Sequence, residues 1–348
     1  MSERPITILF GEFALIQHSV RLGKKKEYSF IEMADVEPYT KYVIPKNTRI
    51  WNGSGGAKFH NDDTIFARIA PCLEHGKIAK VSQLIKTMGF GSTEFFVFRA
   101  KEGISDPDFL YYLARSSIIM EPAIKSMIGS SGRQRAQRNA IENILVPHIP
   151  LHVQKKIADI LSAYDDLIEN NRRRIALLEQ AAQLLYREWF VHLRFPGHEH
   201  TPIIDGIPQG WEKKKYKDLF NFLNGYPFKS TTYQTHGRFG IVTIRNVHDA
   251  HFIPDCSSFL DFVPNNMKPH CFLSTGDILL SLTGNVGRAC IVYGDGFLLN
   301  QRVVKIVGEA SIPRSFVYWT FSNEASQLML EKLAYGVAQL NLSSILLR

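Results

Sequence analysis

Side chains carrying several planar hydrogen-bond donors gather at a few points of this 348-residue chain. Their chemistry suits gripping phosphates and reading the edges of bases. Arg133, Gln134, Arg135 and Arg138, with Gln137 among them, follow the small-residue run Gly129-Ser130-Ser131-Gly132. A guanidinium can take guanine O6 and N7 together, and a carboxamide pairs in the same way with adenine. Arg68, His75 and Lys77 flank a turn at Gly76, and Arg288 stands at a matching turn at Gly287. Arg245, Asn246 and His248 follow an extended segment in the same relation as Asp35 earlier in the chain. Ordinary solvated charge is the plain alternative at each place. It is the better account of the lysine runs Lys24-Lys25-Lys26 and Lys213-Lys214-Lys215.

Catalytic patterns are not found beside these donors. The chain has no GxxxxGK[ST] phosphate loop, no NPPY-type tetrad for adenine methylation, no FxGxG-like methyl-donor loop and no GxSxG elbow. Cys72 and His75 are three residues apart without a second ligand pair, so neither a metal nor any other cofactor is expected. The four cysteines form no CxxC pair, as in free thiols of a reducing cytoplasm. No segment approaches the ~18 apolar residues of a membrane span, and the expected location is the cytoplasm.

A net charge of +8 permits a polyanionic partner, and its distribution says more than its total. Residues 1–150 carry 20 basic and 15 acidic side chains, residues 151–192 carry 6 and 6, and residues 193–348 carry 15 and 12. Both ends are basic and the middle is neutral.

That neutral middle has the clearest pattern. Ile157, Tyr164, Asn171, Leu178 and Leu185 recur every seven residues, interleaved with Leu161, Ile168, Ile175, Ala182 and Trp189. This is the seam of a coiled coil, uninterrupted by Gly or Pro between Pro150 and Pro196. At 1.5 Å per residue such a helix is ~55 Å long. Its stripe requires a second helix, and Asn171 is the kind of polar seam residue that sets register. Arg172-Arg173-Arg174 is read as pairing with neighbouring acids.

The flanks resemble each other. Tyr28–Val36 parallels Gly240–Val247, Asp63–Ile69 parallels Asp277–Thr283, and Glu94–Phe98 with Phe109–Tyr112 parallels Arg302–Ile306 with Phe316–Trp319. The three matches are collinear. Each flank reads as short Ile-, Val- and Phe-rich strands broken by turn signals, then helix near Asp108–Met120 and Pro313–Leu333. The fold class is therefore α+β with an internal repeat.

Several of these segments resemble the specificity subunits of type I restriction-modification systems. The points of likeness are Pro208-Gln-Gly-Trp211 with Leu219 and Gly225-Tyr-Pro-Phe-Lys229, Gly276-Asp-Ile-Leu279 and Gly284-Asn-Val-Gly-Arg288, Gly132-Arg-Gln-Arg135, Ile144–Pro150 and the helix Gln154–Phe190. The resemblance implies two similar α/β target-recognition domains, residues 1–150 and 193–335, joined by a long coiled-coil helix, residues 151–192. It implies a non-catalytic protein that binds double-stranded DNA at a split site. Methyltransferase subunits would dock on the helix seam (Ile157, Leu161, Tyr164, Ile168, Asn171, Ile175, Leu178 and Leu185), and a restriction/translocase subunit would join them. A ~55 Å spacer corresponds to about 16 base pairs at 3.4 Å each, which suits half-sites about one turn apart. Residues 336–348, with Gln339 as a candidate DNA contact, are expected to begin a second conserved region that is truncated. The alternatives are a coiled-coil interaction protein and the remnant of a fused type II-like restriction-modification enzyme.

Overall fold

The structure is a computed structural model describing residues 6–53, 55–334 and 342. It divides into two compact units, Met1–Ile175 and Ala176–Arg348, with the division inside one long helix.

The first unit holds β1 (Ala14–Ile16), β2 (Lys26–Ile31), β3 (Tyr42–Val43), β4 (Asn47–Trp51), β5 (Ala57–His60), β6 (Thr64–Ala67), β7 (Ile78–Val81), β8 (Met88–Gly91) and β9 (Phe95–Ala100). They form one sheet in the order β1-β9-β6-β7-β3 and another in the order β4-β2-β8-β5. The sequence of β9 explains its central place. Phe96 and Phe98 enter a core shared with Phe10, Phe13 and helix α1 (Pro107–Arg115), while Phe95 and Val97 enter a second core with Ile31, Phe59, Ile65 and Val81. Side chains of a strand alternate in direction, so a strand apolar at every position is buried on both faces.

Helix α1 starts where Asp106 accepts the amides of Asp108 and Phe109, each at 3.0 Å, with Pro107 in the first turn. It is followed by α2 (Ser117–Lys125) and then α3 (Leu151–Tyr186), 36 residues long. Helix α3 has a helix-favouring composition of Ala, Leu, Gln, Glu and Arg with no internal Gly or Pro. Its first turns are anchored by Gln154, which is fully buried. The Gln154 carboxamide accepts from the Asp106 amide at 2.9 Å and donates to the carbonyls of Ile104 and Ile149 at 2.8 Å.

About two and three turns further along, α3 meets a buried charge cluster. The Lys41 ammonium, its side chain 2% exposed, lies 2.7 Å from the Asp108 carboxylate and donates to Ser162 Oγ at 2.6 Å. Lys80 donates to the other Asp108 oxygen at 3.0 Å, and Tyr112 donates to Asp165 at 2.7 Å. Burial disfavours all three charges of the Lys41–Asp108–Lys80 group. Their hydrogen bonds and attraction, together with Asp62 at 2.9 Å from Lys80, outweigh it, holding Asp108 below the usual carboxylate range and both lysines above theirs.

The second unit repeats the arrangement. Its strands are β10 (Phe220–Asn224), β11 (Phe239–Val242), β12 (Phe259–Leu260), β13 (Phe272–Leu273), β14 (Ile278–Ser281), β15 (Ala289–Ile291), β16 (Phe297–Leu299) and β17 (Val303–Gly308). The sheet orders are β10-β17-β14-β15 and β12-β11-β16-β13. These match β1-β9-β6-β7 and β4-β2-β8-β5 strand for strand. In both units the second sheet has a parallel central pair, β2 with β8 and β11 with β16, flanked by antiparallel edges. A four-residue helix precedes each repeat, Phe10–Phe13 before β1 and Tyr216–Leu219 before β10. A helix pair follows each, with α4 (Arg314–Ser322) and α5 (Glu324–Leu333) in the second.

Each helical stretch read as one from the sequence is in fact two. The breaks fall at Ser116 and Asn323, and Asn323 starts the new helix by accepting the Ser326 amide at 2.9 Å. Asn and Ser offer the backbone side-chain partners that compete with helix continuation. The expected α+β class, similar domains and long helix all stand.

The repeat extends to single side chains. Asp63 accepts the His60 amide at 2.7 Å and both ends of the Arg99 fork at 2.7 Å. Asp277 accepts the Ser274 amide at 2.9 Å and the Lys305 ammonium at 2.7 Å. The residue before each aspartate turns left-handed, Asp62 at φ +70° and Gly276 at φ +93°.

Two stability outcomes follow. Asp108→Ala leaves the buried Lys41 ammonium without a carboxylate and Lys80 with Asp62 alone, 2.9 Å away, and should cost the first unit on the order of 3 kcal/mol in denaturant unfolding. A carboxyl depressed on folding stabilises above its ordinary pKa and loses that contribution as pH falls through the folded value, so this variant should also flatten the first unit's acid limb below about pH 4. In the second unit, Asn246 is 2% exposed, accepts from the Thr243 amide at 2.9 Å and donates to the Ile253 carbonyl at 2.9 Å. Asn246→Ala should cost about 1–3 kcal/mol, whereas Arg245→Ala, on an exposed side chain, should shift the midpoint by less than about 0.5 kcal/mol.

Candidate nucleic-acid interface

In the first unit, backbone pairing collects most of the predicted donors into one patch. Ile128 and Arg135 exchange hydrogen bonds at 3.1 and 2.9 Å across the glycine- and serine-rich turn, and Arg133 is held near its tip by an amide bond to the Ser130 carbonyl. On its other side the same segment lies against Arg68–Ala70. The Ala70 amide donates to the Gln134 carbonyl at 2.8 Å and the Ala136 amide to the Arg68 carbonyl at 2.7 Å. Arg68, Arg133, Gln134 and Arg135 are thus neighbours, although about 65 residues separate Arg68 from the rest.

The four differ in freedom. Arg133 is exposed and Gln134 half-buried. Arg135 is clamped on Glu94, with Nε 2.9 Å from one carboxylate oxygen and Nη2 2.7 Å from the other, and the carboxylate strengthens its hold on its proton. Arg68 spreads over the Phe96 ring at 4.8 Å, and its Nε is buried without a hydrogen-bond partner. Two predicted contacts lie outside this patch and are occupied within the fold. The Lys77 ammonium donates to the Met33 carbonyl at 2.9 Å, and Arg138 pairs with Glu142 at 2.7 Å, four residues along its helix.

In the second unit, Arg245 projects into solvent from the single turn after β11. Arg288 is partly exposed and lies 3.5 Å from Asp249. The reading of Asn246 as a surface donor needs correction, because its carboxamide braces the loop from inside. Asp35 does the same in the first unit, accepting the Glu32 amide at 2.7 Å. The parallel between these positions is real, and its basis is a shared turn. Gln339 and the expected second conserved region lie outside the described residues, except Leu342. The Leu342 amide donates to the Leu282 carbonyl at 2.7 Å, the place held in the first unit by Ala136 against Arg68.

Along α3 the predicted seam is open over most of its length: Leu161 is 39% exposed, Tyr164 63%, Ile168 48%, Ile175 57%, Leu178 67% and Leu185 50%, and Asn171 is exposed with them. Ile157 departs from the expectation, being packed against the first unit's core. Helix α3 passes into a π turn at Arg187–Val191, where Phe190 meets Phe316 edge-on at 4.9 Å. Sequence reasoning missed Arg49, Lys58 and Lys86, each seated over an aromatic ring of the second sheet. The available signal was the alternation of basic and aromatic residues in Lys26–Phe30 and Arg49–Trp51.

Among the described residues no three His, Cys, Asp or Glu side chains stand together to hold a metal ion. No described helix is long and apolar enough to cross a membrane.

Comparison with known proteins places these features. Residues 18–180 match the family described as Type I restriction modification DNA specificity domain. The chain is 28% identical over 263 residues, 72% of its length, to the Type I restriction enzyme MjaVIII specificity subunit of Methanocaldococcus jannaschii, covering 60% of that relative. It is 25% identical, over 84% of its length, to the Type I restriction enzyme EcoAI specificity subunit of Escherichia coli, covering 65% of that protein. It therefore spans less than two thirds of these relatives. A crystal structure of the type I restriction-modification system S subunit from M. genitalium shares the fold, with a TM-score of 0.51 at 15% identity over 99% of this chain and 87% of that one. The matched domain lies across the first module and most of α3, and over most of its length the chain is similar to type I restriction-modification specificity subunits.

Proposed function

We propose that this chain is the DNA sequence-specificity subunit of a type I restriction-modification complex and catalyses nothing itself. Residues 1–150 and 193–335 each read one half of a split site in double-stranded DNA, and residues 151–192 are the spacer. Methyltransferase subunits dock on the open apolar stripe of α3, and the restriction/translocase subunit completes the complex in the cytoplasm. One observation carries most of this reading: a single sheet topology occurs twice in the chain, once on each side of one uninterrupted helix. Two copies of one reading head suit two half-sites. The excess of basic over acidic side chains in both flanks supplies the attraction to phosphate. In the first module Arg133, with Arg68, Gln134 and Arg135 beside it, is the favoured reading patch. In the second, Arg245 and Arg288 are the favoured contacts.

The test is to copurify the chain with its methyltransferase and map methylated adenines across a genome. The expected outcome is a split consensus with a fixed gap, and binding that weakens steeply as salt rises. Arg133→Ala should weaken the site roughly ten-fold or more and relax only one half of the consensus. Failure to retard any DNA at low salt, with the methyltransferase present, would overturn the reading and favour a coiled-coil interaction protein.

A further inference from the structure

The second sheet of the first unit has one face built from aromatic rings topped by cations. Register puts Trp51 and Arg49 of β4, Lys26, Tyr28 and Phe30 of β2, Phe90 of β8 and Lys58 of β5 on the same side. Arg49 lies 3.9 Å from the Phe30 ring centre, Lys58 4.8 Å from that of Trp51, and Lys86, in the turn before β8, 5.6 Å from that of Tyr28; the exposed Lys86 ammonium gives one of its three protons to the Glu27 carbonyl at 3.0 Å. The rings of Tyr28, Trp51 and Phe90 are buried beneath them. The opposing charges are Glu32, which pairs with Arg49, and Glu27, whose carboxylate takes the Thr48 hydroxyl. Lys24, Lys25 and Lys26 extend the positive surface, all exposed. Lys58 also lines a cavity of about 340 Å³ with Gln17, His18, Ser19 and Thr93, and no acidic residue lines it.

The second unit provides an internal control. Its equivalent sheet has the same order and the same parallel pair, so each position has a counterpart. Phe239 stands for Tyr28, Leu260 for Arg49, Phe272 for Lys58 and Leu298 for Phe90, and Gly294 falls where Lys86 stands. Among the described residues that sheet keeps one ring-seated cation, Arg238 at 5.1 Å from the Phe239 ring centre, and the fold closes without counterparts of Arg49, Lys58 and Lys86. Their presence in one copy calls for a reason outside folding. Rings hold the charged groups in place while leaving them partly hydrated, which suits a repeating anionic surface.

We infer that this face binds the sugar-phosphate backbone of duplex DNA without regard to sequence, and that three ring-seated cations make it a stronger clamp than the equivalent face of the second module, which has Arg238 over Phe239. The inference rests on the chain being a DNA-binding subunit. It assigns Arg49, Lys58 and Lys86 to affinity and leaves base reading to other residues.

The experiment compares the full chain, copurified with its methyltransferase, with an Arg49→Gln/Lys58→Gln/Lys86→Gln variant across a salt series. One duplex contains the mapped site and another lacks it. Each lost phosphate contact lowers the slope of log affinity against log salt by roughly 0.9, so the slope should become shallower by roughly 2–3. Both duplexes should weaken by the same factor. If circular dichroism shows the triple variant misfolded, Lys86→Gln and Arg49→Gln singly, both on exposed side chains, should each lower the slope by roughly 0.9. An unchanged slope, or a loss confined to the site-bearing duplex, overturns the clamp while leaving the subunit reading intact. If the unmodified complex binds neither duplex, both fall.

Discussion

The seating of α3 on the first unit depends on two ammonium groups placed almost out of reach of water. Lys41 and Lys80 are 2% and 7% exposed at their side chains. A buried charge is tolerable only when its partners are close and complete. Asp108 serves both lysines, Asp62 is a second partner of Lys80, and the remaining need of Lys41 is met by Ser162 on α3 and by the faces of Tyr42 and Tyr112. Turning α3 by one residue would rotate its side chains by about 100°, removing Ser162 from Lys41 and Asp165 from Tyr112. The charge cluster therefore sets the rotation of the helix. Leu161, Tyr164 and Ile168 face outward because Ala158, Ser162 and Asp165 must face inward. An apolar stripe left open by so costly an arrangement is better explained by a partner than by chance exposure.

The same economy of constraint explains why one topology can carry two unlike surfaces. What recurs between the units is internal: the aspartate that closes a turn and anchors a cation on the neighbouring strand, the brace of Asp35 or Asn246, and the doubly buried central strand. What differs is outward-facing. Fold and surface are specified by different residues, and a recognition module can change its ligand while keeping its core.

That division also decides how much was legible in the sequence. Periods of seven and two are direct consequences of helix and strand geometry, so α3 and the β9-type strands could be read from residue order. The three collinear matches could be read as well, because turn aspartates and doubly apolar strands leave local patterns. Two things were less visible. Asn246 sits beside Arg245 in a polar loop, and nothing in the residue types says that one carboxamide turns inward, since that depends on carbonyls seven and nine residues away. The ring-seated cations were hidden for a related reason. Arg49, Lys58 and Lys86 come from three segments and meet Phe30, Trp51 and Tyr28 only after pairing.

Charge at equivalent positions carries the comparison one step further. The Arg68 amide donates to the Glu94 carbonyl in the first unit, and the Leu282 amide donates to the Arg302 carbonyl in the second, so Glu94 and Arg302 occupy one topological position with opposite charge. In the first unit that acid holds Arg135 by two oxygens and fixes the direction in which the guanidinium points. An arginine held by an acid is preorganised and gives up less side-chain freedom on meeting a ligand, at the cost of part of its charge. With arginine in the acid's place, the second unit has a positive charge at that position. The first unit combines a restrained guanidinium patch with a separate layer of cations over aromatic rings. Among the described residues the second has one cation over a ring, Arg238 at 5.1 Å from the Phe239 ring centre, and individually exposed groups such as Arg245. On one scaffold, then, the two units carry different outward charge, with three cations over rings in the first and one among the described residues of the second; under the proposed function that difference makes their phosphate contacts, and so their salt dependence, unequal.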